Sequence, residues 1–127
     1  MLPLMGERGK GVLLALGTIL ATVLIAGVAV VLASSGTNGP DQLTGTPGAD
    51  SINGGAGADI IKGLGGNDVL TGGTGFDLIY GGPGNDRIQA RDGEVDYIDC
   101  GPGADTAIVD RAEDGVYDCE RVAVPTS

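Results

Sequence analysis

The sequence predicts an all-β solenoid, short strands stacked coil on coil in two facing parallel sheets, preceded by one N-terminal hydrophobic helix. Three observations carry that expectation. Six consecutive nine-residue segments fill residues 36–89 with no slip in register. Glycine supplies 25 of the 127 residues and recurs at fixed places within those segments. An uncharged, mostly apolar run occupies residues 12–33.

The apolar run comes first in the chain. Arg8 and Lys10 precede it, and no charge follows until Asp41. As a helix it would be about 33 Å long, enough to span a bilayer core. The sequence Val31-Leu32-Ala33 at its end has the small residues that a signal peptidase requires. Its length instead suits an uncleaved anchor, since the apolar part of a signal peptide is usually ~7–15 residues. Residues 1–33 are therefore a signal peptide or a membrane anchor, and both readings place residues 34–127 outside the cytoplasm. Membrane contact is expected only through this helix, if it is uncleaved.

The repeats follow, as GTNGPDQLT, GTPGADSIN, GGAGADIIK, GLGGNDVLT, GGTGFDLIY and GGPGNDRIQ. Each opens with Gly, has Gly fourth and Asp sixth, and carries an aliphatic residue eighth. Glycine tolerates positive φ, so the first six positions can turn tightly. The last three can form a short strand whose middle residue faces inward while its neighbours face out. The inward residues are Leu43, Ile52, Ile61, Leu70, Ile79 and Ile88. Two units per coil would give two parallel sheets with these side chains between them. Turns of alternate units would then stack, with Asp41, Asp59 and Asp77 along one edge and Asp50, Asp68 and Asp86 along the other.

Composition narrows the function. With 17 acidic against 7 basic residues the net charge is −10, which argues against nucleic acid as a partner. Solubility alone would not place the aspartates in one register. Stacked carboxylates repel, and a cation between them removes the repulsion. The available ligands are carboxylate and carbonyl oxygens, with no histidine and with both cysteines outside the repeats. Zinc and copper want nitrogen or sulfur. Magnesium demands tight octahedral geometry, whereas calcium accepts six to eight oxygens in flexible cages.

These units resemble the hemolysin-type calcium-binding nonapeptide of RTX proteins, Gly-Gly-x-Gly-x-Asp-x-aliphatic-x, a known parallel β-helix repeat, in particular its small exported form. The resemblance implies a parallel β-roll holding several Ca2+ ions, roughly four, each between turns of alternate units. It implies sites pairing Asp41 with Asp59, Asp50 with Asp68, Asp59 with Asp77 and Asp68 with Asp86. The loop glycines so implied are Gly45, Gly48, Gly54, Gly55, Gly57, Gly63, Gly66, Gly72, Gly73, Gly75, Gly81, Gly82 and Gly84. Thr37, Thr46 and Leu64 stand where the second Gly belongs, so the first two turns are expected to be the weaker ligands. Toxin or protease activity is not implied, because this chain has no room for an effector domain.

After Gln89 the register breaks, and residues 90–127 are expected to cap the roll. Residues 90–99 read as a repeat with one insertion, and Cys100 opens a turn pattern that ends at Asp105. In an exported chain Cys100 and Cys119 predict a disulfide, with free thiols or an intermolecular bridge as the alternatives. The function expected is a calcium-binding module that folds outside the cell as it binds the ion. A calcium-ordered adhesion or interaction module is the alternative, because Ile60, Leu78 and Tyr80 would share one outer face. Without histidine or an organised catalytic motif, no enzyme is expected.

Overall fold

The computed structural model describes residues 32–110 and 115–125. The expected N-terminal helix lies outside these residues except for its last two, Leu32 and Ala33, which are strand rather than helix. Among the described residues no helix is long and apolar enough to cross a membrane.

Among the described residues eleven strands form, and every pairing between them is parallel. One sheet contains β1 (Leu32–Ser35), β3 (Asp50–Ala56), β5 (Val69–Thr74), β7 (Arg87–Ala90), β9 (Thr106–Val109) and β11 (Arg121–Ala123), in that order. The other contains β2 (Gln42–Thr44), β4 (Ile60–Lys62), β6 (Leu78–Tyr80), β8 (Tyr97–Asp99) and β10 (Gly115–Tyr117). Odd strands thus form one wall and even strands the other, as two repeats per coil require.

The eighth position of each repeat explains why the walls close. Leu43, Ile61, Ile79 and Ile98 form the inner column of the five-stranded sheet; Ile52, Leu70, Ile88 and Ala107 form that of the six-stranded sheet. All eight are 3% exposed or less. A buried Leu or Ile contributes about 2 kcal/mol, and here each coil brings only two. The core is one side chain thick, so the backbone ladder and the turns carry an unusual share of the stability.

Stacking continues past residue 89. Strands β8 to β11 extend the walls through the segment read as a cap, and the single insertion in residues 90–99 is absorbed in its turn. Ile98 lies beside Ile79 across the break, so the inward column is uninterrupted. Cys100 is bonded to Cys119, with Cα atoms 5.1 Å apart. The Cys100 side chain is fully buried in the core, so the bond ties the last turns to the interior.

Candidate metal centre

Each turn delivers its aspartate to the same place. The sixth residue directly precedes a strand or, as Asp50 does in β3, opens one. Asp50, Asp59, Asp68, Asp77 and Asp86 are 2% exposed or less, while Asp41 is half-buried. One carboxylate oxygen of each later aspartate accepts the backbone N–H of the aspartate one coil earlier. Asp41 donates to Asp59 Oδ1 at 2.8 Å, Asp50 to Asp68 at 2.8 Å, Asp59 to Asp77 at 2.9 Å and Asp68 to Asp86 at 2.8 Å. The four pairs expected from the repeat are therefore the pairs brought together.

The other oxygen divides the turns into two kinds. In the first two turns it is satisfied locally. Asp41 Oδ2 accepts the Thr37 N–H at 2.5 Å and the Thr37 hydroxyl at 2.9 Å. Asp50 Oδ2 accepts the Thr46 N–H at 2.5 Å and the Thr46 hydroxyl at 3.1 Å. Threonine in place of the second glycine thus turns the aspartate into a cap for its own loop. In the later turns Oδ2 of Asp59, Asp68, Asp77 and Asp86 is buried with no hydrogen-bond partner among the described residues. A buried, unpartnered carboxylate oxygen is expensive, so four in register need a physical reason.

The first glycine of each turn shows what these oxygens face. A β-carbon on Gly81 would lie 2.6 Å from Asp86 Oδ2 and 2.6 Å from the Cys100 carbonyl oxygen. On Gly63 it would collide with Asp68 Oδ2 and the Gly81 carbonyl, and on Gly54 with Asp59 Oδ2 and the Gly72 carbonyl. On Gly72 it would meet Asp77 Oδ2. The missing side chain leaves carboxylate and carbonyl oxygens facing one small space. Among the described residues no three carboxylates gather closely enough to hold a metal by side chains alone. Any cage must therefore include backbone carbonyls.

Backbone shape follows the same division. Gly55, Gly73 and Gly82, second in their turns, have φ between +92° and +106°. Leu64 holds the equivalent place at φ +79° despite its side chain. Of the fourth glycines, Gly57, Gly66, Gly75 and Gly84 have positive φ, whereas Gly48 sits in a Thr-capped turn with room for a side chain.

Burial dominates the electrostatics. It pushes the Asp68 carboxyl up to about 6, the Asp50 N–H partly offsetting the rise and the charges of Asp86 and Asp50 adding to it. Burial likewise pushes Asp77 up to about 6, offset by the Asp59 N–H and reinforced by Asp59 and Asp92. Asp59 and Asp86 are raised for the same first reason, with Asp41 and Asp105 as their charged neighbours. A bound cation would offset the cost of ionising such buried groups.

The ladder also runs beyond the aspartates picked out by the sequence. Asp77 donates its N–H to Asp96 at 2.9 Å and Asp86 donates to Asp105 at 2.6 Å, each across 19 residues rather than 18. Asp105 donates in turn to Glu120 Oε2 at 2.7 Å. The signal for Asp96 and Asp105 was the repeat with one insertion. Glu120 has no glycine signature, and only the fold brings it to Asp105.

Against known families, the model of the RTX calcium-binding nonapeptide repeat (4 copies) matches residues 35–70, 62–94 and 71–107. The chain belongs to this family. The matches span more than half of the sequence and continue through the Asp96 and Asp105 turns, in agreement with the extended ladder. The family's repeats bind calcium, and the roll is a structural calcium-binding fold rather than a typical enzyme family. No curated protein matches the chain. No solved structure matches it either.

Proposed function

We propose that this RTX-repeat chain is a calcium-binding module whose roll orders on the ion outside the cell. The unpartnered, buried Oδ2 atoms of Asp59, Asp68, Asp77 and Asp86 carry this reading. The donor set is all oxygen, which suits calcium and not a nitrogen- or sulfur-seeking metal. About four ions are expected, one for each of these turns, held by the carboxylates with turn carbonyls such as those of Gly72, Gly81 and Cys100. Bound calcium supplies positive charge where the carboxylates repel and cross-links successive coils. Asp41 and Asp50, capped by threonine, are the weaker ligands at the start of the roll.

Export is supported by the apolar run at residues 12–33 and by the disulfide, which persists in oxidising compartments. Calcium is abundant outside the cell, so the same chain would remain unfolded inside and order after leaving. Binding would then contribute folding free energy directly. The test is a calcium titration of the full chain followed by far-ultraviolet circular dichroism, with magnesium in parallel. A saturable gain of β signal with calcium alone supports the reading; identical spectra in calcium and in chelator overturn it.

A further inference from the structure

All three tyrosines of the chain lie on the outer face of the five-stranded sheet, where they flank the buried middle positions of β6 and β8 and the partly buried one of β10. Tyr97 packs against Tyr80 with ring centroids 5.9 Å apart and against Tyr117 at 5.0 Å. Beside them Ile60 and Leu78 line a groove of about 510 Å³ that also includes Lys62 and Leu64. Strand propensity alone does not explain this face. The equivalent positions of the six-stranded sheet are mostly polar, Ser51, Asn53, Thr71, Arg87, Gln89 and Thr106, with Val69 and Ile108 as apolar exceptions and no aromatic ring among them.

The charges on this face have an order. Strand register puts Lys62 beside Tyr80 and Tyr80 beside Asp99, in one outward row. Lys62 is thus one strand to one side of Tyr80, and Asp99 one strand to the other. We propose that this face is the interface of a homodimer whose two-fold axis lies between the five-stranded sheets of the two copies, parallel to β6. Such an axis sets Tyr80 on Tyr80 and Leu78 on Leu78. It sets Ile60 over Tyr97, and Lys62 of each copy over Asp99 of the other. The contact is self-complementary, as a two-fold interface must be. An axis across the strands would instead set Lys62 over Ile60 and Asp99 over Tyr97, leaving both charges without a partner. The paired charges therefore select one arrangement, and they counter locally the repulsion between two chains of net charge −10.

Five short strands give a face of roughly 20 Å by 10 Å. That is well under the ~800 Å² per partner of a stable interface, so the dimer is weak and forms at high local concentration. The inference rests on the roll and not on the identity of the ion, so it can fail while the calcium reading stands.

The experiment mixes heavy-nitrogen and ordinary copies of the full chain in calcium and treats them with a carbodiimide, which joins an amine to a carboxylate in contact. A Lys62–Asp99 cross-link between a heavy and a light peptide is expected. In sedimentation, Lys62→Asp or Asp99→Lys alone should weaken association about tenfold or more, and the double swap should restore it. Association through the apolar segment would be indifferent to the swap. Absence of a mixed-isotope cross-link overturns the proposal, as does a double swap no better than the single reversals. If a single variant fails to fold, the cross-link decides.

Discussion

Replacing Asp68 by Asn should change stability in opposite directions with and without calcium. Asp68 is 1% exposed, its Oδ1 accepts the Asp50 N–H at 2.8 Å, and its Oδ2 has no partner among the described residues. Asparagine keeps the acceptor and removes the buried charge. Raising a carboxyl from 3.8 to about 6 corresponds to about 3 kcal/mol at face value, and to about 1–2 kcal/mol once screening near the roll edge is allowed for. In chelator, with sucrose to favour the compact state, Asp68→Asn should therefore raise the urea midpoint by the equivalent of about 1–2 kcal/mol. In saturating calcium it should lower it, because one ligand is lost. Asp50→Ala should behave differently: it strips the partner from the Thr46 N–H and hydroxyl and should cost about 1–3 kcal/mol in both conditions. Paired urea melts followed by circular dichroism read all four values. If Asp68→Asn destabilises the chelated chain as much as the calcium-loaded one, the carboxylate is a structural acceptor and the reasoning fails.

Further outcomes follow from the same geometry. Burial holds Asp68 and Asp77 above their unfolded values in the metal-free roll. Their contribution to stability is then fully present below about pH 4 and is lost as pH rises through about 6, so the chelated chain should gain β signal on acidification from pH 7 to about 4.5. Protons and calcium compete for the same oxygens, so calcium affinity should fall by about tenfold per protonated carboxylate between pH 7 and 5, measurable by calorimetry. Gly73→Ala should abolish the calcium-induced signal or shift it to much higher calcium, because at φ +106° a β-carbon would strike the Gly55 carbonyl; unchanged titration would contradict the turn geometry. Reducing the Cys100–Cys119 bond should destabilise the calcium-loaded roll by about 3 kcal/mol in thermal or urea melts, as expected for closing a loop of this length.

The repeat made the coil legible. A nine-residue period with Leu or Ile eighth dictates two strands per coil, and the inward column from Leu43 to Ile88 is buried as that rule requires. The aspartate pairs were legible for the same reason, because stacking converts a sequence interval of 18 into spatial adjacency. The fate of the second carboxylate oxygen was not. It depends on whether the residue after the first glycine offers a hydroxyl, as Thr37 and Thr46 do, or only backbone at positive φ, as Gly55 and Leu64 do. Nor did the pattern show how far the stack runs. One inserted residue breaks a count along the chain, yet the turn absorbs it and leaves Ile98 in line with Ile79. At the start, Leu32 and Ala33 belong to the apolar run by hydropathy yet open β1, because hydropathy does not mark where a strand begins.

Residue-resolved hydrogen exchange of the full chain, in calcium and in chelator at pH 7, tests the central claim most directly. The account predicts strong protection of β4 through β8 in calcium and its loss in chelator, with the disulfide-tied turn at Cys100 retaining the most. Equal protection of these strands in both conditions would contradict it, because the four unpartnered carboxylates would then be accommodated without an ion.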